Sequence, residues 1–142
     1  MTISAILANN HRDVLTALPH ESVGEVVTRL AINRIGALPV VDDTSVIGIF
    51  SERDIVYGVA KHGASFLTKT VSETMTAPAI TVAPDTAILS ALSLMSKRRI
   101  RHLPVIKDDA LVGFVSIGDL VKHRIEKIET EAAAMRDYIS MA

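Results

Sequence analysis

The chain has 142 residues, 49 % hydrophobic and 22 % charged, and its fifteen basic and sixteen acidic side chains give a net charge of −1. A compact monomer of this length exposes about 7,000 Å² and buries roughly two-thirds of its unfolded surface, which means one domain or two very small ones and argues against disorder. Cysteine and tryptophan are absent, which excludes a disulfide framework, a thiolate nucleophile and a Cys-ligated zinc or iron–sulfur site, and the charge balance gives no reason to expect a nucleic-acid binder.

In chain order, Met1 to Asn10 carries neither the basic nor the apolar region of a signal peptide. No aliphatic run approaches a membrane span, so the expected compartment is the cytoplasm. Asp13-Val14-Leu15-Thr16 reads as a short strand, and Pro19 opens a helix on which Val23, Val26, Val27 and Leu30 recur at helical spacing. Leu38-Pro39-Val40-Val41 reads as a strand with Pro at its start or edge, Asp42 to Ser45 as a turn, and Val46 to Phe50 as a β-branched strand; a helix begins at Ser51. The same beat returns: a strand over Ala79-Ile80-Thr81-Val82, a helix opened by Pro84 with Ile88, Ala91, Leu92 and Met95 on one face, and a strand over Leu103-Pro104-Val105-Ile106. A turn over Lys107 to Ala110, a strand over Leu111 to Val115 and a helix from Ser116 complete it. From Val121 to Ala142 the chain reads as one amphipathic helix, with Val121, Ile125, Ile128, Ala132, Met135 and Ile139 separated by charged residues.

The beat is an internal repeat at an offset of 65, with ten identities between Pro19 and Asp54 and their counterparts. Leu38-Pro39-Val40 matches Leu103-Pro104-Val105, Arg34 matches Arg99, Gly48 matches Gly113, Ser51 matches Ser116 and Asp54 matches Asp119. The lead-in Val71-Ser72-Glu73-Thr74-Met75 resembles Ile3-Ser4-Ala5-Ile6-Leu7 at an offset of 68, so the first unit carries three extra residues before its first core helix. The expected organisation is 1–65 and 68–125 as two units of order β-α-β-β-α, with 121–142 as a tail helix. Units near 55 residues are marginal alone, so the two are expected to share one core and leave no length for an output domain. The apolar stripe of the tail needs a cover, from a second subunit or from the same chain.

The two units resemble cystathionine-β-synthase-type (CBS) domains arranged as a tandem pair, or Bateman module. The resemblance rests on Ile35-Gly36-Ala37-Leu38-Pro39-Val40-Val41 with Gly48-Ile49-Phe50-Ser51-Glu52-Arg53-Asp54, and on Arg99-Ile100-Arg101-His102-Leu103-Pro104-Val105-Ile106 with Gly113-Phe114-Val115-Ser116-Ile117-Gly118-Asp119. It covers about residues 1–125. It implies a mixed α/β (α+β) fold with pseudo-two-fold symmetry, two related clefts that take adenosine-containing ligands (AMP, ATP, NAD(H) or S-adenosylmethionine) without a metal, and a homodimer of pairs.

By that resemblance, one cleft combines Thr16, Ala17, Ala37 and Leu38 with Arg101, His102, Phe114, Ser116 and Asp119, and its pseudo-symmetric partner uses Thr81, Val82, His102, Leu103, Ile49, Ser51 and Asp54. Two roles are open for Asp54 and Asp119: hydrogen bonds to ribose hydroxyls, the chemistry of the acidic residue in dinucleotide folds, or capping of the helix begun by the Ser three residues earlier. Ser51 and Ser116 are open in the same way, to phosphate or to the cap. Lys97, Arg98, Arg99, Arg101 and His102 form a basic cluster, with Arg suited to bidentate phosphate contact. The first repeat has Ile32, Asn33, Arg34, Gly36 and Ala37 at those positions, so the clefts are unequal, and the first is expected to be the more positive. Arg53 is open between phosphate, Glu52 and a neighbouring subunit.

The expected function is therefore non-catalytic: an adenine-nucleotide sensor acting on a separate, unidentified protein. The alternative is a scaffold with vestigial clefts. No nucleophile elbow, carboxylate pair or metal-ligand spacing supports an enzyme, no Walker or Gly-x-Gly-x-x-Gly loop is present, and a nucleic-acid role would rest on 97–102 alone.

Overall fold

A computed structural model of the chain describes residues 1–10 and 13–141, and each repeat in it is built on a β-hairpin. β1 (Ala37–Asp42) pairs antiparallel with β2 (Ser45–Ser51), and β3 (His102–Lys107) with β4 (Ala110–Ser116). The registers are equivalent, with Val40 opposite Gly48 and Val105 opposite Gly113, and both hairpins bulge at the next residue. The turns carry left-handed residues, Asp43 at φ 57° and Asp108 and Asp109 at φ 51° and 62°. Short Asx side chains tolerate that region.

The strand expected over Asp13–Thr16 does not form, a one-residue bridge at Ala17 standing just after it, and the strand expected over Ala79–Val82 shrinks to Val82. Ala17 bridges β1 in parallel, donating to the Pro39 carbonyl at 3.0 Å and accepting from the Val41 amide at 2.9 Å. Val82 does the same on β3, with Pro104 at 3.0 Å and Ile106 at 2.8 Å. Prolines stop the ladder on both sides. The next hydrogen bond one way would need an N–H from Pro39 or Pro104, and the other way from Pro19 or Pro84, and proline has none.

Pro19 and Pro84 do not open helices either. Each is the second residue of a turn, closed by Glu21 N–H on the Leu18 carbonyl (3.1 Å) and by Thr86 N–H on Ala83 (3.0 Å), where a fixed φ suits proline. The helices start four residues later, as α2 (Val23–Asn33) and α5 (Ile88–Arg98). Ser22 caps α2 by accepting from the Glu25 amide at 3.2 Å. Arg34 and Arg99, at φ 53° and 54°, end the two helices in the left-handed region. Glu21 pairs with Arg29, which lowers the carboxyl pKa and raises that of the guanidinium through their mutual hydrogen bond.

The lead-in segments form helices, α1 (Ile3–Asn9) and α4 (Val71–Thr74), and they are exchanged. Ile3 and Ile6 pack in the second repeat's core with Ile88, Met95, Leu103, Val115 and Leu120. Val71 packs in the first repeat's core with Val23, Val26, Leu38, Phe50 and Phe66. Matching backbone bonds hold the exchange: Ile3 and Ser4 donate to Thr86 and Pro84 at 3.0 and 2.9 Å, and Val71 and Ser72 donate to Glu21 and Pro19 at 2.9 and 3.0 Å. There are thus two buried clusters, one per unit, where one shared core was expected. The sequence boundaries 1–65 and 68–125 cut across them.

α3 (Glu52–His62) follows β2 and leads through a 3₁₀ turn over Gly63–Thr68 into α4. α6 runs unbroken over Ile117–Met141, so the expected tail continues the last helix of the second unit; Ala142 lies outside the described residues. Among the described residues, no helix is long and apolar enough to cross a membrane.

Candidate functional site

The hairpins meet through β2 and β4, and two clefts open beside that seam. The first, about 690 Å³, is walled by Asp13, Val14 and Leu15, by residues 33–37, and by His102, Phe114, Ser116 and Asp119. The second, about 360 Å³, is walled by Pro78, Ala79 and Ile80, by Ile100, Arg101 and His102, and by Ile49, Ser51, Glu52, Arg53 and Thr76. Both volumes lie within the range of small-molecule sites, roughly 300–1,000 Å³. Gly36, Ala37 and His102 belong to both walls, so the clefts abut.

Of the residues expected in the first cleft, the structure brings together Ala37, His102, Phe114, Ser116 and Asp119. Thr16, Ala17 and Leu38 are not in the wall. Ala17 and Leu38 are fully buried in the first core, and the Thr16 carbonyl accepts from the Arg29 guanidinium at 2.8 Å. In the second cleft Ile49 and Ser51 line the wall, while Val82 and Leu103 are core residues and Thr81 is exposed outside it. The bridges explain the displacement: each fixes its residue in the core, and Asp13–Leu15 and Pro78–Ile80, just before the bridges, turn over the clefts.

Arg101 lines the second cleft, not the first. Consecutive residues of an extended segment point to opposite sides. His102 stacks on Phe114, with ring centroids 5.4 Å apart and planes within 10°, and Arg101 falls to the other side. Among the described residues, the second cleft holds Arg101 and Arg53 with Glu52, whereas the first holds Arg34 with Asp13 and Asp119, and His102 belongs to both. The described residues thus put the greater positive charge on the second cleft, where the first was expected to carry it. Arg53 donates to the Arg99 carbonyl at 3.0 Å, which ties the two repeats together at the cleft edge.

Both Ser-x-x-Asp motifs form capping boxes. Asp54 Oδ2 accepts from the Ser51 amide (2.9 Å) and hydroxyl (3.1 Å). Asp119 Oδ2 accepts from the Ser116 amide at 2.8 Å, and the Ser116 hydroxyl accepts from the Asp119 amide at 3.1 Å. The second carboxylate oxygen separates them. Asp54 Oδ1 accepts from the Thr76 hydroxyl at 2.9 Å, and Asp54 is not in the cleft wall. Asp119 Oδ1 meets no hydrogen-bond partner among the described residues, and Asp119 is in the wall. Thr76 is placed by a backbone bridge to Ile49, with two bonds of 2.9 Å. The matching stretch of the other lead-in stays helical to Asn9.

His102 is mostly shielded, and burial holds its imidazole below the ordinary 6.5; Asp119 and Glu52 pull it back up, and Arg101 opposes them. Among the described residues, no group of His, Asp and Glu side chains is arranged to hold a metal ion. Sequence reasoning missed Thr76 and Gly36, which carry no distinguishing chemistry. It also missed Asp13 and Pro78, which repeat equivalence could have aligned once the bridges were known.

Both repeats match the family model of the CBS domain, over residues 4–61 and 71–126. The chain belongs to the CBS-domain family. This CBS pair is 36 % identical over 124 residues to CBS domain-containing protein CBSX3, mitochondrial, of Arabidopsis thaliana, covering 84 % of this chain but only 60 % of that protein. The CBS-domain containing protein ATU1752 from Agrobacterium tumefaciens superposes with a TM-score of 0.84 at 38 % identity, covering 87 % of this chain and 99 % of that one. The CBS domain pair of protein MJ0100, solved in complex with 5′-methylthioadenosine and S-adenosyl-L-methionine, superposes with a TM-score of 0.78 at 29 % identity, covering 89 % of this chain and 98 % of that one.

Proposed function

We propose that this CBS pair is a non-catalytic regulatory module that binds an adenosine-containing ligand in its first cleft and acts on a separate protein. The observation that carries the reading is the cleft-facing Asp119, whose Oδ1 is available to accept hydrogen bonds from a ribose diol while Oδ2 keeps the helix cap. The stacked His102–Phe114 pair offers a flat apolar surface beside it. The relative MJ0100 is solved with two adenosine-containing ligands, which supports the same class here, with AMP, ATP and NAD(H) as the other members. Phosphates extending past the shared Gly36–Ala37–His102 wall would meet Arg101 and Arg53, which suit anions. No metal is needed for that contact.

A non-catalytic role agrees with how the hydroxyls and carboxylates are used. Ser51 and Ser116 are engaged with their own helix caps rather than with a histidine, so neither is organised as an activated nucleophile. A ligand spanning the seam between the repeats can favour one relative orientation over another, and only such differential binding makes a switch. The exposed Val56 and Tyr57 on α3, together with the apolar stripe of α6, are surfaces on which two such pairs would form a homodimer.

The reading is tested by titrating ligand-free protein with AMP, ATP, NADH and S-adenosylmethionine, and with the 2′,3′-dideoxy analogue of whichever binds. One adenosine ligand should saturate, and its dideoxy analogue should bind at least about ten-fold more weakly, a loss of about 1.4 kcal/mol. Equal binding of the analogue contradicts the role of Asp119. Binding of none of the four favours a scaffold with vestigial clefts.

A further inference from the structure

We propose that the C-terminal half of α6 pairs with the same segment of a second copy of this chain as a parallel, in-register, two-stranded coiled coil. The proposal builds on the homodimer above and specifies its tail. Val121, Ile125, Ile128, Ala132, Met135 and Ile139 recur at alternating steps of four and three residues. That is a mean period of about 3.5, the heptad seam of a left-handed coil. The seam is uncovered: Ile125 and Ile128 are each 49 % exposed, Met135 61 % and Ile139 67 %. It does not face the chain's own fold: Leu120 is buried in the second core, and His123, Arg124 and Lys127, on a different face of the helix, line a recess with Met1 and Ile88.

Charge selects the orientation. In a parallel pair, each residue flanking the seam on one side meets the partner's flanking residue five positions on. Arg124 then faces the second copy's Glu129, and Glu131 faces its Arg136, so both contacts join opposite charges. In an antiparallel pair centred on Glu129, that residue would meet its own copy and Lys122 would meet Arg136. Both contacts are then repulsive.

The surface area points the same way. The chain exposes 9034 Å², against the roughly 7,000 Å² of a compact monomer of this length. The excess is more than the roughly 800 Å² that each partner buries in a standard protein interface. Three heptads are short for a free coiled coil. Here Leu120 anchors the helix in the second core, so the helix is nucleated before the copies meet.

The chain contains no cysteine, so the test uses single-cysteine variants of the full chain under mild oxidation. Val121→Cys and Met135→Cys should each form a covalent homodimer, because a parallel in-register pair brings each position opposite itself within disulfide reach. Thr130→Cys, off the seam, should not. A disulfide formed only in a mixture of the Val121→Cys and Ile139→Cys proteins means an antiparallel pair, in which those two seam positions share a layer, and overturns the proposal. Light scattering on the unmodified chain separates the two readings. A monomer at all concentrations overturns this proposal and the homodimer together, whereas a dimer that neither cysteine links overturns this proposal alone. Arg136→Glu should weaken the dimer several-fold, and adding Glu131→Lys on the same chain should restore it. Failure of that rescue overturns the parallel charge pairing.

Discussion

In the first cleft the capping carboxylate of Asp119 lines the wall with one oxygen that has no hydrogen-bond partner among the described residues, whereas in the second the same oxygen of Asp54 is held by Thr76 and the residue is not in the wall. The two helices begin with the same Ser-x-x-Asp motif and the same capping box, so the difference does not lie in the repeats. It lies in the exchanged lead-ins. α1 stays helical for seven residues, while α4 stops after four and sends the chain along β2, where Thr76 reaches Asp54. Capping and ligand binding are therefore not alternatives for these carboxylates. One oxygen does the first at both ends, and the lead-in decides whether the other is open to the second. The cations are distributed the opposite way, with Arg101 and Arg53 on the second cleft. On the proposed reading, the first cleft takes the ribose and the second an anion.

The largest expected effect breaks the comparison at the lead-ins. A Cβ at Gly48 would stand 2.6 Å from Met75 Sδ and 2.9 Å from the Thr76 carbonyl, and one at Gly113 2.5 Å from a Leu7 methyl. A methyl can swing aside, but a carbonyl fixed in the Ile49 bridge cannot. Gly48→Ala should therefore cost about 2–3 kcal/mol of stability and Gly113→Ala about 1 kcal/mol or less, by urea denaturation. Arg101→Ala comes next. It should weaken ATP binding about ten-fold, or about 1.4 kcal/mol, while changing adenosine binding little; equal losses for both ligands would place Arg101 outside the phosphate path. Thr76→Val keeps the backbone bridge and removes the hydroxyl that occupies Asp54. The second cleft should then gain affinity for an adenosine ligand by about five-fold, roughly 1 kcal/mol, seen as a second calorimetric transition.

The smallest effect concerns His102. Its pKa in the fold lies below the unfolded value, near 6.5, so the unfolded chain takes up more protons as pH falls through that value, and stability falls with it. In ligand-free protein, His102→Gln should flatten the pH dependence of Tm below about pH 6.5. An unchanged slope would assign that dependence to other groups.

Most of the fold was legible because its signals are local. Apolar alternation and Asx turns marked both hairpins, and Ser-x-x-Asp marked both helix starts. The third strands were misjudged although the reason was in view: Pro19, Pro39, Pro84 and Pro104 remove the N–H groups that would have extended them. The exchange of α1 and α4 was not legible, since Ile3 reaching Thr86 and Val71 reaching Glu21 are long-range pairings with no local mark. The site suffered for the same reason. Ser116, Asp119 and Phe114 follow from the motif, but Arg101's cleft depends on where His102 stacks, and Thr76 matters only because a bridge carries it to Asp54.

The inequality of the two carboxylates is tested most directly by calorimetry of Asp119→Ala beside Asp54→Ala with the adenosine ligand that binds the unaltered chain. Both variants lose the same capping box, at about 1 kcal/mol of stability each, and Asp54→Ala loses the Thr76 bond besides, so the comparison is made on ligand affinity and stoichiometry rather than on stability. The account predicts that Asp119→Ala abolishes the tight site and that Asp54→Ala keeps its affinity and stoichiometry. Equal losses in the two variants, or a loss confined to Asp54→Ala, would contradict it.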